Sequence, residues 1–343
     1  MKPVLPPFLF LFLFMQQPLF SQTALQLKHT DQGVEIRMGE QILTALIFPP
    51  NLKKPVLYPV FTTGGQEVTR GFPIHPRPGD RVDHPHHVGI WFNHGDVNGL
   101  DFWNNSEAIA PEKREQFGTI FLREVQSVKE KKHQGIVKTL SEWVTPDGTV
   151  LLEEKTTYIF FAEADYWTVD RITELTVKTD SVTFTDSKEG MYGIRLRQEM
   201  ELPSVKPARR IGSDGKVTEK PVTENLTTSG TYLTSEGNTD ESAWGKTARW
   251  VRLSGNIEGK TASVILMDHP QNPYFPAQWH ARDYGLFAIN NLGRNAYDKQ
   301  TPLIEYTLAH KQTATFRHRL IVHEGTFPDT VTIESWYEKF TQP

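Results

Sequence analysis

The sequence predicts an all-β fold: a large antiparallel two-sheet sandwich with a short C-terminal helix. Three observations predict it. Apolar and polar side chains alternate with period two in many short segments, the pattern of half-buried strands. Gly, Asn, Asp and Pro separate those segments, which is turn chemistry. The chain has 343 residues, 38% hydrophobic and 23% charged, which supplies a large core and argues against disorder.

Taken in order, the first residues read as something other than fold. Lys2 precedes an apolar run over 8–15, and the small residue Ser21 precedes Gln22. This is the layout of a secretory signal peptide over 1–21, with cleavage expected after Ser21. The run is shorter than the ~18 residues a membrane span needs. The chain has no cysteine, so an exported protein of this sequence relies on core burial rather than disulfides. A periplasmic or extracellular location is expected, with no membrane partner once the leader is removed.

Residues 22–343 are expected to form a single β-sandwich domain. Strands are expected near 34–38, 42–48, 88–94, 117–128, 150–161, 167–177, 192–200, 250–253, 263–267, 286–290, 303–308 and 313–323. In residues 167–177, Trp167, Val169, Arg171, Thr173, Leu175 and Val177 alternate with Thr168, Asp170, Ile172, Glu174 and Thr176. The polar stretch at about 203–244 reads as an irregular insertion, because strands of the same character resume after it. Helical periodicity is clearest over 332–340.

One segment concentrates the candidate chemistry. Asp83-His84-Pro85-His86-His87 leads into a strand that ends His94-Gly95-Asp96-Val97-Asn98. Strand parity places Val88, Ile90, Phe92 and His94 on one face and Gly89, Trp91 and Asn93 on the other. Extended backward, His84 and His86 join the first row and His87 the second. Pro85 cannot donate to a ladder, so the geometry before residue 88 stays open. Clustered imidazoles bind a divalent metal, share acid and base roles, or stiffen loops by hydrogen bonding.

Other polar clusters are candidates to join it. Glu189 sits just before a strand in which Arg195, Arg197 and Glu199 share a face, either as a ligand clamp or as a solvated ion-paired surface. Asp268-His269-Pro270 echoes Asp83-His84-Pro85, and Trp279-His280 is followed by Arg282. Aromatic platforms suit sugar rings, whose C–H faces are apolar. Trp91 reads as core, whereas Trp103 and Trp279 read as loop residues available to a ligand. His318 lies in an apolar row and reads as core, and His29, His133 and His310 lack polar company. The net charge of −4 and the lack of a basic stripe argue against a nucleic-acid partner. There is no Gly-rich phosphate loop, Gly-x-Ser-x-Gly elbow or cysteine nucleophile.

Asp83-His-Pro-His-His, Gly89-Ile-Trp-Phe, His94-Gly-Asp-Val-Asn-Gly and Asp101-Phe-Trp103 resemble the signature of the exported bacterial family labelled methane oxygenase PmoA. Arg70-Gly-Phe-Pro73, residues 189–196 and Asp268-His-Pro270 are similar to it as well, so the resemblance covers most of the chain after residue 21. Val88 departs from the pattern, which often has arginine there. The methane monooxygenase subunit of that name spans the membrane many times, and no apolar segment after residue 21 is long enough to do so. The resemblance instead implies a supersandwich similar to the galactose-mutarotase-like proteins, in which His and Glu groups on a concave sheet face handle sugar rings.

The leading expectation is an exported carbohydrate-processing enzyme with a small-molecule or glycan substrate. His86 and His87 are expected as acid or electrophilic groups and Glu189 as base. His84, His94, Asp96, Asn98, Arg195 and His280 are expected to orient hydroxyls, with Trp103 and Trp279 as platforms. No cofactor is needed for that chemistry. The alternatives are a hydrolase or oxygenase using a divalent metal on the same histidines, and a glycan-binding protein without turnover.

Overall fold

A computed structural model describes residues 25–131, 134–223 and 227–342. The expected signal peptide and His133 lie outside the described residues. The strands are β1 (Leu25–Thr30), β2 (Gly33–Met38), β3 (Gln41–Ile47), β4 (Val56–Val60), β5 (Ile90–His94) and β6 (Thr119–Lys131). They continue as β7 (Gln134–Val144), β8 (Val150–Ala162), β9 (Tyr166–Val177), β10 (Ser181–Thr185), β11 (Gly190–Arg195) and β12 (Thr231–Thr234). The last are β13 (Trp250–Ile257), β14 (Lys260–Asp268), β15 (Gln278–Ala281), β16 (Leu286–Asn290), β17 (Glu305–Ala309) and β18 (Thr313–Glu324), followed by helix α1 (Thr330–Thr341).

Two eight-stranded antiparallel sheets result, ordered β1-β2-β3-β4-β5-β11-β16-β15 and β12-β13-β14-β18-β9-β8-β7-β6, with β10 and β17 paired apart from them. The all-β two-sheet expectation and the short C-terminal helix are what the molecule shows. Among the described residues no helix is long and apolar enough to cross a membrane.

Alternation along each strand builds the layers. Phe92, Tyr192, Ile194, Phe287 and Ile289 of the first sheet share one core with Val169, Leu175, Val264, Leu266, Phe316 and Leu320 of the second. Neighbours of opposite parity face away from it. On the second sheet, Trp250, Ile265, Met267 and Ile321 are covered by Ile333 and Tyr337 of α1. That helix starts where Asp329 accepts a bond from Thr332 N at 2.8 Å, an N-cap. On the first sheet, Trp91, Leu286 and Ala288 cluster with Tyr58, Val88 and Trp103. This outward face carries the site.

Two expected elements differ. The strand expected over 192–200 stops at Arg195, and Arg197 turns out to pair with Glu199 and Glu258 at 2.6 and 3.2 Å. The stretch expected to be irregular over 203–244 contributes β12 to the edge of the second sheet, where Leu233 pairs with Arg252. Its polar composition hid a strand only four residues long.

Candidate functional site

The site is built on adjacent strands β5, β11, β16 and β15. Register fixes one row across them: Trp91 pairs with Gly193, Gly193 with Ala288, and Ala288 with His280. Paired residues in an antiparallel sheet share a face, so all four point outward together. The absence of a side chain at Gly193 is needed here. A Cβ there would lie 3.1 Å from both Ala288 Cβ and Trp91 Cζ2, tighter than ordinary packing. The next row, Phe92, Tyr192, Ile289 and Trp279, points into the core.

Before β5 the chain is no longer a strand. His87 N donates to His84 O at 3.0 Å, closing a turn. His84 and Gly89 both take left-handed backbone angles, φ 44° and 55°. Gly89 tolerates this without strain, and a Cβ there would collide with Leu57 O at 2.2 Å. The turn removes the parity constraint and gathers all three imidazoles on the Trp91 side. His84 and His87 stack at 4.9 Å between centroids, and His86 meets His87 edge-on at 4.2 Å. The stack continues to Tyr284 beyond His84 (5.3 Å) and to Trp91 beyond His87 (5.1 Å). Trp103 lies edge-on to His87 at 5.7 Å and stacks with His280 at 6.4 Å.

Arg70 holds this turn in place. Its guanidinium donates to the backbone oxygens of Asp83 (2.7 Å), His84 (2.8 Å) and His87 (3.0 Å), and to Asp83 Oδ1 (2.9 Å). Asp83 Oδ1 also accepts from Arg195 Nη2 at 2.8 Å. One carboxylate thus compensates two buried cations. Burial pushes the Asp83 carboxyl up, but Arg195, His84 and Arg70 outweigh it and hold it well below the usual carboxylate range.

These residues enclose a cavity of about 190 Å³ whose lining includes His84, His86, His87, Trp103, Glu189 and His280. Asn104, Lys188, Arg282, Tyr284 and Leu286 complete it. His86 Nε2, His87 Nε2, His280 Nδ1 and Glu189 Oε2 are buried without a protein partner among the described residues. Buried polar groups are normally satisfied, so such a cluster marks a place for water or a polar ligand. Burial, with neighbouring cations adding to it, holds the His86 and His87 imidazoles well below their ordinary range. Burial, then Arg282, brings His280 down to about 3. The Glu189 carboxyl moves the other way: burial raises it, against Lys188, whose Nζ is 3.2 Å from Oε1. At neutral pH the pocket therefore presents neutral imidazoles at His86, His87 and His280 beside one carboxyl group of raised proton affinity.

Several expected positions do not reach the cavity. His94 does not share a face with His84 and His86, because the turn reverses their parity. It points inward, packs on Phe184 at 5.8 Å and bonds through Nε2 to Thr185 O at 2.7 Å. Asp96 and Asn98 are turn residues. Asp96 Oδ1 accepts from Gly99 N at 3.0 Å, and Asn98 Oδ1 from Thr183 N at 2.8 Å. Trp279 is not a loop platform; it is fully buried within β15, and its indole donates to Ala248 O at 2.9 Å. Arg195 is neither a solvated face nor a cavity-lining clamp. It is fully buried behind the pocket, 3.3 Å from His87 Nδ1 and 4.6 Å over the Tyr284 ring. Asp268 lies in the core, accepting from Asn272 (2.7 Å) and Asn291 (3.0 Å), whose amide oxygen meets His318 at 3.0 Å.

Sequence reasoning missed Lys54, Arg70, Asn104, Lys188 and Tyr284. Lys188, next to Glu189, and Asn104, next to Trp103, carried a positional signal, and Arg70 opens a segment of the family resemblance. The others join the site through long-range pairing that has no local pattern. Among the described residues, no three His, Cys, Asp or Glu side chains are placed to hold a metal ion.

The fold and site define a large two-sheet β-protein with a histidine-lined pocket on the outer face of one sheet. The chain belongs to the family described as a family of unknown function, DUF6807, whose model matches residues 33–338. That description does not support the methane oxygenase label. No curated protein matches the chain. Among solved structures it is similar to the GH36 α-galactosidase AgaB from Geobacillus stearothermophilus, at 10% identity and a TM-score of 0.38, over 88% of this chain and 40% of that one. It thus spans about two fifths of that enzyme. It is also similar to a putative aldose 1-epimerase from Escherichia coli K12, at 9% identity and a TM-score of 0.29, over 88% of this chain and 97% of that one. A galactose mutarotase-like protein from Lactobacillus casei ATCC 334 is similar at 8% identity and 0.31, over 87% and 100%. Similarity this distant carries no argument about activity.

Proposed function

We propose that this protein is an exported carbohydrate-processing enzyme that acts on a sugar or sugar derivative by epimerisation, elimination or hydrolysis. The observation that carries the reading is the convergence of four imidazoles, Glu189 and Trp103 on one cavity, with buried polar atoms left unpartnered. A cavity of ~150 Å³ admits benzene, so about 190 Å³ suits one six-membered ring with hydroxyls directed at the imidazoles and its apolar side toward the part of the wall formed by Trp103, which is itself almost fully buried.

Glu189 as carboxylate accepts the proton that leaves the ring. Its raised affinity narrows the gap to a weakly acidic C–H or to water. His87 acts as a neutral donor: with Nδ1 facing Arg195, its Nε2–H is directed away from the guanidinium and stabilises negative charge developing on a substrate oxygen. His84 and His280 orient hydroxyls. The test is turnover by the mature protein across a panel of mono- and disaccharides and uronates, followed by NMR. Turnover that is lost in both Glu189→Gln and His87→Ala supports the assignment. Turnover that both variants retain overturns it, and saturable binding without any product identifies a binding protein instead.

A further inference from the structure

The histidine cavity has a neighbour. A second cavity, of about 280 Å³, is walled by Leu52, Val56, Phe72, Pro73, Pro85 and Val88, with Asn51, Lys53, Lys54, Asn105, Ser106 and Glu107 as its polar part. His86 lines both cavities. Two chain segments cross from one to the other. In the first, His84 and His87 face the histidine cavity while Pro85 and Val88 face the second. In the other, Trp103 and Asn104 line the first cavity and Asn105 to Ala108 the second. Lys54 anchors the junction from below by donating to His86 O at 2.8 Å. It is buried there and has further N–H donors.

Size separates the two roles. Neither cavity alone reaches the ~300 Å³ at the lower end of ligand pockets, and together they exceed it. The first matches one polar ring. The second is larger and mostly apolar, so it suits a ring presenting an apolar face.

We propose that the second cavity is a subsite for the aglycone of a glycoside, so that the substrate is two rings joined across His86 rather than a free monosaccharide. This rests on the reading that the histidine cavity holds a sugar. The unpartnered Nε2 of His86 then stands beside the linking oxygen, the atom that distinguishes a glycoside from its free sugar.

The test compares matched pairs: glucose, galactose, mannose, xylose and glucuronic acid, each free and as its p-nitrophenyl glycoside in both anomers. Binding to the full mature protein is measured by calorimetry, and the bound protons by saturation-transfer NMR. In at least one pair the aryl glycoside is expected to bind about tenfold more tightly, with its aryl protons saturated. Ala108→Trp and Asn51→Trp fill the second cavity from exposed rim positions, where the larger side chain does not disturb the core. Both are expected to abolish the gain and leave free-sugar affinity unchanged. Sugars that bind with no aryl gain, or a gain that survives both variants, overturn the subsite alone. If neither sugars nor glycosides bind, the carbohydrate reading fails and the subsite falls with it.

Discussion

Arg195 Nη1 stands 3.3 Å from His87 Nδ1, and this contact assigns the His87 proton. A guanidinium only donates. Nδ1 must therefore accept, and the proton of the neutral ring sits on Nε2, the nitrogen left unpartnered. Burial, with His86 and Arg195 adding to it, keeps that ring from charging. Nitrogen-15 NMR is expected to show a neutral Nε2–H tautomer at neutral pH that persists below the ordinary imidazole pKa of ~6.5. A neutral Nδ1–H tautomer, which leaves Nε2 without a proton, would remove His87 from the donor role.

Asp83 is the shared counter-ion of Arg70 and Arg195, both fully buried. Breaking a buried pair by removing one partner costs ~3–5 kcal/mol. Asp83→Asn is expected to lower the unfolding free energy by about 3 kcal/mol at neutral pH. The folded carboxyl lies below its unfolded value, so its contribution is full above the unfolded pKa of ~3.9 and disappears as pH falls below it. Denaturant melts should therefore show the variant and the parent converging in acid. A constant difference down to about pH 2 would contradict the ion-pair account.

Glu189 sets the acidic limb of activity if it is the base. Burial raises its carboxyl, so kcat/KM should climb with a midpoint above the ordinary ~4.3. Lys188 opposes the rise, so Lys188→Ala should move the limb to higher pH. Glu189→Gln should lower kcat by roughly 10²–10⁴ and abolish the limb. A limb unchanged in Lys188→Ala would assign it to another group.

Trp279 and His280 are neighbours in sequence with opposite fates. Trp279→Ala empties a core position and is expected to cost ~3–5 kcal/mol of stability. His280→Ala removes a cavity wall whose Nδ1 has no partner, and should abolish sugar affinity with little change in melting temperature. Asn98→Ala, at an exposed turn, should leave affinity unchanged. Thermal melts paired with calorimetry check all three, and a His280→Ala protein as unstable as Trp279→Ala would place His280 in the core.

Alternation in residues such as Trp167–Val177 and Thr313–Glu324 determines, without any tertiary information, that the chain is built of strands with one buried face. The density of imidazoles at 84–94 determines where to look for chemistry. Parity, however, is a local rule that holds only while the backbone stays extended. It misplaced His84 and His86 beside His94 because a turn at Pro85 and a left-handed Gly89 reset the facing of the chain. It would have separated Trp279 from His280 had their strand been recognised, but polar neighbours made that four-residue strand look like loop. Which groups meet was decided by sheet order. Pairing β5 with β11, β11 with β16 and β16 with β15 carries His280 and Glu189 to histidines almost two hundred and about one hundred residues earlier. No local periodicity encodes such pairing, because it comes from burying one shared core between two sheets.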